Sequence, residues 1–348
     1  MMFYATKNII IRNGEEAESY PYFYVMGNGR LRQIKGVLDI EEEDYVGLTW
    51  DGLGYRESSH NVWRVWVKDP ILVRKIREQY LNMGFLTSQS YIKFSLRNSI
   101  DNTLNSLNTI KNLLTNIDSV IKDALNKKYK IMAIDVEVRD GRPIYGYILD
   151  DDYVNITNNI KDIINEDFDI AVTYNGWGFD YKYLPLYENS KYALATEHGI
   201  KPIMDLYTFV KSGFKASLGI QEEASKLYDI AIQLGIHREL GLTESQLLRL
   251  KAMQTRVNSL SENELKIYLA SDVAITHKLA QKWIPTLQAL GAITGSNPMV
   301  INQVAETASP GHLAEALIHK WLEANGVIIQ DRNREYDYEA GDKTRARA

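Results

Sequence analysis

The sequence contains no cysteine. Disulfides, cysteine-ligated zinc, iron–sulfur clusters and thiol nucleophiles are therefore excluded together. Nor is there an excess of positive charge: 40 Lys+Arg stand against 45 Asp+Glu, a net charge of −5. This balance excludes a strongly basic, histone-like nucleic-acid binder but leaves room for a local basic groove on an acidic body. No uninterrupted apolar run approaches the roughly 18 residues that read as a membrane span. The start, Met1-Met2-Phe3-Tyr4-Ala5-Thr6-Lys7, lacks the basic start, apolar run and small-residue cleavage site of a secretory leader. A cytoplasmic protein with no membrane partner is the expectation. There is no internal repeat and no low-complexity tract. What is present is ordinary globular composition: 348 residues, 45% hydrophobic and 24% charged. That length suffices for two domains, each with its own core.

Along the chain, residues 1–100 read as an α+β domain. Segments 22–26 and 31–37 flank Gly27-Asn28-Gly29, which predicts a β-hairpin, because Asn and Gly accept the positive φ of a tight turn. A phosphate loop is the weaker reading of Gly27-x-Gly29, since the third glycine and the following helix are missing. The run Glu41-Glu42-Glu43-Asp44 reads as a solvated loop or sheet edge. Residues 62–67 are β-rich, and Asp69-Pro70 precedes a helical segment near 71–81. Over 101–125, Leu104, Leu107, Ile110, Leu114, Ile117, Ile121 and Leu125 recur every three or four residues, predicting one amphipathic helix of about seven turns. With the basic cluster Lys127, Lys128 and Lys130 it forms a connector over 101–130. A second domain follows over 131–290: strands at 131–138, 143–149 and 169–174, a helix near 156–165, then mostly helix from 218 to 288. This is a mixed α/β pattern. One more helix is expected within the final segment 291–348, which ends in a polar, charged stretch over 332–348.

Three acidic motifs occur in order. In Ile134-Asp135-Val136-Glu137-Val138 the strand period of two puts Asp135 and Glu137 on one face, opposite the apolar residues. Two carboxylates on one face repel unless a cation neutralises them, and a hard divalent ion suits oxygen ligands. An exposed strand edge would also explain the pair. Asn175-Gly176-Trp177-Gly178-Phe179-Asp180 follows an apolar strand, placing Asp180 where open α/β sheets bind ligands; a helix N-cap is the plain alternative. Ser261-Glu262-Asn263-Glu264 has the form of a capping box. On the helix it predicts, Tyr268 and Asp272 share a face, with Thr276 one turn further along. By itself that helix could be an ordinary amphipathic one.

Taken together, D-x-E, N-x-x-x-F-D and Y-x-x-x-D resemble the Exo I, II and III motifs of DEDD-type 3′–5′ exonucleases, in their tyrosine subtype. The stretches "AIDVEV", "YNGWGFDYKYL" and "YLASDVAITHKL" are similar to the proofreading domain of family B DNA polymerases, particularly archaeal ones. "VKDPILVRKIREQY" and "ASPGHLAEALIHKWLEANGVIIQDR" resemble that family's N-terminal-domain helix and the segment returning toward that domain. The helical region over 101–125 is no hallmark of the family. The polymerase signatures D-x-x-S-L-Y-P-S, K-x-x-x-N-S-x-Y-G and D-T-D do not occur, so the chain is expected to correspond to the N-terminal half of such an enzyme, either truncated or one subunit of a split polymerase.

The resemblance implies a ribonuclease H-like α/β exonuclease domain, with an α+β N-terminal domain completed by the C-terminal segment. It implies two Mg²⁺ or Mn²⁺ ions held by Asp135, Glu137, Asp180 and Asp272, and a water-positioning role for Tyr268. A phenol with a pKa near 10 is a poor base at neutral pH. Asn175 and Phe179 would position the 3′-terminal nucleotide. Trp177, Tyr181, Lys182, Tyr183 and Thr276 are further candidates for substrate contact, in a chain whose 22 tyrosines mostly serve packing. The implied partners are the single-stranded 3′ end of primer–template DNA and a polymerase half, in a nucleoid-associated setting. A non-catalytic DNA-binding or replisome-assembly subunit of the same fold is the alternative, and a ribonuclease of the same superfamily is a third reading.

Overall fold

A computed structural model describes residues 1–150, 153–221 and 223–331 of the chain; the polar stretch 332–348 lies outside the described residues. Two compact units result. One comprises Met1–Ser19 and Lys93–Ala314, the other Tyr20–Ile92 and the chain from Glu315.

The first unit is built on a six-stranded mixed sheet. Its central strand, Ile131–Arg139, pairs antiparallel with Arg142–Leu149 and parallel with Ile170–Thr173. Gly199–Asp205 continues the sheet in parallel, and the short strands Asn155–Thr157 and Ala193–Thr196 form its edges. The hairpin between the first two strands turns through Asp140 (φ 50°) and Gly141 (φ 74°), the paired positive φ values that an Asp-Gly turn supplies. Ile170–Thr173 is buried at every position, as a parallel strand covered on both faces should be. The mixed α/β pattern expected from residue 131 onward is present. Of the helix expected near 156–165, only Lys161–Ile164 forms, because Asn155–Thr157 is drawn into the sheet edge.

The long helix Glu262–Ala292 begins at the expected capping box: Ser261 Oγ accepts from the Glu264 backbone N–H, and Glu264 Oε2 accepts from the Ser261 N–H. Its Leu265, Leu269 and Val273 are buried, and it packs on the central strand and on Arg142–Leu149.

Three expectations need correction. The single seven-turn helix over 101–125 is replaced by Phe94–Thr103, Leu107–Thr115 and Ile117–Asn126. Ser106 caps the second of these by accepting from the Thr109 N–H, and the Asn116 side chain bonds back to the Asn112 carbonyl. Small polar side chains of this kind compete for the backbone and break the helix even where the apolar period runs on. The hairpin at Gly27-Asn28-Gly29 does not form either. Tyr22–Gly27, buried along its whole length, lies between Asn61–Val67 and Leu86–Ser88, and the next strand, Val37–Glu43, pairs with the far side of Asn61–Val67. Residues 1–19 lie with the first unit rather than with the rest of 1–100. The Gln303 amide bonds both backbone groups of Tyr4, Asn297 Nδ2 donates to Met2 O at 2.7 Å, and Ser190 Oγ donates to Ala5 O.

In the second unit, Val327–Ile329 adds in parallel to Val46–Trp50. Just after that strand, the Asp331 carboxylate accepts from Gln89 N at 2.6 Å and from Ser90 Oγ at 2.7 Å. The acidic run at 41–43 occupies an edge strand beside Arg64, whose guanidinium is 2.9 Å from Glu43.

Candidate functional site

On the central strand, Met132, Ile134 and Val136 enter an apolar core with Tyr145, Tyr147, Phe168 and Ile203. The strand's period of two then turns Asp135 and Glu137 to the opposite face, toward the long helix. Asp135 stands opposite Gly146 in the register. A Cβ added at Gly146 would fall 2.8 Å from both Leu269 Cγ and Val273 Cγ2. The bare backbone at this position is what lets the helix lie low enough for Tyr268 and Asp272 to face the strand carboxylates.

Asp180 arrives from a third element, the turn after Ile170–Thr173. That turn is held by a carboxylate that its own motif does not contain. Asp205, at the end of Gly199–Asp205, accepts the backbone N–H groups of Asn175 (2.7 Å), Trp177 (3.2 Å) and Tyr207 (3.0 Å). Asn175 takes a left-handed conformation (φ 63°), which Asn tolerates better than most residues. The chain then runs through two short 3₁₀ turns, leaving Asp180 buried and Phe179 and Trp177 substantially exposed.

The four carboxylates act on one another. Asp135 is pushed well above the usual aspartate range, first by burial and then by the charges of Asp180, Asp272 and Glu137. Its Oδ2 is shut off from solvent and has no hydrogen-bond partner among the described residues. Asp180 is raised in the same way by burial, against the Val136 backbone N–H, which favours its charged form. Burial, followed by the Asp272 charge, pushes Glu137 up to about 7. Asp272 is pushed up to about 6 by burial, opposed by hydrogen bonding from Tyr228 and then Tyr268. Burial and the neighbouring Asp272 charge raise the Tyr268 phenol, so it stays protonated at any ordinary pH.

The donor chemistry suits a hard divalent cation: several carboxylate oxygens, one of them buried and unpartnered, in an environment that disfavours their shared negative charge. Among the described residues no three acidic or histidine side chains form a ready-made metal cage. Mg²⁺ characteristically takes one or two carboxylates and completes its shell with waters and substrate phosphate, so an open donor set fits it.

Asp135, Glu137, Asp180, Tyr268 and Asp272, read from three separate motifs, thus lie close enough for their charges to influence one another. The remaining candidates are placed differently. Phe179 packs its ring 5.5 Å from Tyr183, carries Lys182 Nζ 6.0 Å over the ring and stays partly exposed. Trp177 is more than half exposed and meets Tyr181 edge-on at 5.7 Å. Tyr181 itself belongs mostly to the core, and Thr276 is buried within the long helix. Two residues escaped the motif reading. Tyr228, buried on the helix Leu227–Gln233, donates its hydroxyl to Asp272 Oδ1; nothing marks it among the other tyrosines. Asp205 carries a readable signal, an Asp whose side chain accepts the N–H two residues on, at Tyr207.

No protein-family model matches the chain, and no curated protein matches it. Among solved structures, the chain is similar to the family B DNA polymerase from the hyperthermophilic archaeon Pyrobaculum calidifontis, with a TM-score of 0.56 at 17% identity. The match covers 96% of this chain and 52% of the polymerase, so the chain spans about half the length of that enzyme. At this identity the likeness establishes a shared fold.

Proposed function

We propose that the first unit is a ribonuclease H-like 3′–5′ exonuclease that removes the terminal nucleotide of single-stranded DNA, as the proofreading part of a family B-type polymerase. The observation that carries this reading is the cluster itself: Asp135, Glu137 and Asp180 are each raised by burial and by neighbouring carboxylate charges, Asp272 by burial, beside Tyr268. Such a cluster is costly to bury and is explained by a site that binds cations and phosphate.

Asp135, Glu137, Asp180 and Asp272 would hold two Mg²⁺ or Mn²⁺ ions. When bound, these supply Lewis acidity toward the phosphate and lower the pKa of the attacking water. In the hydrolysis a water oxygen bonds to phosphorus, the bond from phosphorus to the 3′-oxygen of the preceding nucleotide breaks, and that oxygen takes a proton. A 5′-mononucleotide leaves. Tyr268, kept protonated and oriented toward Asp272, has oxygen lone pairs free to accept a hydrogen bond from the incoming water and aim it. Asn175 and Phe179, at the open side of the turn, would seat the terminal nucleotide. Phe179 offers an apolar face, the kind of surface on which unpaired bases stack. A polymerase half, on the same polypeptide or as a separate subunit, would be the partner of this unit.

The test is a 5′-labelled primer–template with a 3′ mismatch, incubated with Mg²⁺, with EDTA, and with Asp135→Asn. Stepwise shortening that needs the metal and fails in the variant supports the reading. DNA binding without shortening, even after a polymerase half is added in trans, favours a non-catalytic DNA-binding module. That second reading draws on one feature, the occupation of Asp272 Oδ1 by Tyr228.

A further inference from the structure

The turn that delivers Asp180 has a second side. Asn175, Trp177 and Gly178 form one wall of a cavity of about 410 Å³, within the range of about 300–1,000 Å³ typical of small-ligand pockets. The opposite walls come from Lys191 and Tyr192, from Tyr207, Thr208 and Lys211, and from the end of the helix Pro298–Ala305. We infer that this cavity binds a nucleoside monophosphate unit, with the base against the aromatic rings and the phosphate at Lys211.

Charge decides where the phosphate goes. Lys191 is already engaged: its Nζ is 2.6 Å from Glu306, a carboxylate that also lines the cavity, and lies over the Trp177 and Tyr192 rings at 5.8 and 5.2 Å. Asp205 also lines the cavity, but its carboxylate is turned to the backbone N–H groups of the loop. Lys211 is different. It has no carboxylate partner among the described residues, and its Nζ stands 4.1 Å over the Tyr207 ring. It is a cation held beside an aromatic face and available to an anion. An uncharged apolar ligand would desolvate it without compensation, whereas an aromatic base carrying a phosphate uses both the rings and the charge. Thr208 adds an uncharged polar group for a base edge or sugar. The inference rests on the exonuclease reading for its biological sense, since one loop would serve both the carboxylates and this pocket. Such a unit has two sources: an unpaired nucleotide within the substrate strand, or the free mononucleotide released.

Calorimetric titration in EDTA separates the pocket from metal chemistry. Wild-type protein is titrated with dAMP, with deoxyadenosine, and with a short oligothymidylate. Binding of dAMP identifies the free nucleotide as ligand; binding of the oligonucleotide alone identifies the strand. In either case Lys211→Gln weakens binding about tenfold, the scale of one charge-assisted contact. Thr208→Phe, which fills the cavity, abolishes it while the circular dichroism stays unchanged, and deoxyadenosine binds more weakly than dAMP. No binding of either probe at millimolar concentration, or binding indifferent to both substitutions, overturns the inference. The failures are separable. Nucleotide binding sensitive to Lys211→Gln with no 3′ degradation sinks the exonuclease reading and leaves the pocket. Metal-dependent degradation with KM unchanged in both variants sinks the pocket and leaves the exonuclease.

Discussion

Replacing Glu137 with glutamine is expected to stabilise the metal-free protein while destroying its proposed activity. Folding raises the Glu137 pKa from 4.5 to about 7, through burial first and the Asp272 charge second. Between those two values the folded chain binds more protons than the unfolded one, so stability falls as pH rises through the window. At 1.36 kcal/mol per pKa unit, the ionised residue at pH 8 costs about 3 kcal/mol. Glu137 is only partly buried, so solvent screening brings this to about 1–2 kcal/mol. For a domain of about 150–250 residues each kcal/mol moves Tm by about 2–4 °C. In EDTA at pH 8, Glu137→Gln should therefore melt about 2–8 °C above wild type, and at pH 4, where Glu137 is protonated in both states, the difference should vanish. Saturating Mg²⁺ should raise the wild-type Tm more than the variant's, and more at pH 8 than at pH 5, because it binds the ionised carboxylates. Differential scanning fluorimetry across pH, with and without Mg²⁺, measures all of this. A variant that melts below wild type at pH 8, or equal Mg²⁺ stabilisation of both proteins, would refute the reasoning.

Other substitutions probe the scaffold of the site. Gly146→Ala places a Cβ 2.8 Å from Leu269 and Val273 and should cost about 1–3 kcal/mol by overpacking. A lowered Tm with loss of the proposed exonuclease rate, though no carboxylate is touched, is the expected pair of results. Tyr228→Phe removes the donor to Asp272 Oδ1, which favours the charged form. The acid limb of the proposed reaction's pH–rate profile should move to higher pH, with stability lower by about 1 kcal/mol; an unmoved limb would mean that Asp272 does not govern it. Asp205→Ala strips the acceptor from the N–H groups of Asn175, Trp177 and Tyr207 and should destabilise by about 2 kcal/mol. Hydrogen exchange should then report lost protection at residues 175–177 ahead of the central strand.

How much of this was legible in the sequence depends on the range of the forces involved. Local rules located the long helix, because Ser261 and Glu264 satisfy each other's backbone within one turn, and they located the central strand, because alternation separates Ile134 and Val136 from Asp135 and Glu137. The resemblance carried by the three acidic motifs named the candidate carboxylates by residue. Local rules failed where side chains competed with periodicity, at Ser106 and Asn116. They failed again where a fully buried strand took partners from far along the chain, at Tyr22–Gly27. The support of the site depends on contacts between distant residues, which no local pattern encodes. Tyr228 reaches Asp272 across 44 positions and Asp205 holds the Asn175 turn across 30. Gly146 matters only because a helix more than a hundred residues later lies against it. The sequence by itself offered the candidate groups for the proposed chemistry, through residue type, local spacing and the resemblance their motifs carry. The tertiary structure alone decided how those charges are buried, how far they repel, and which neighbours hold them in place.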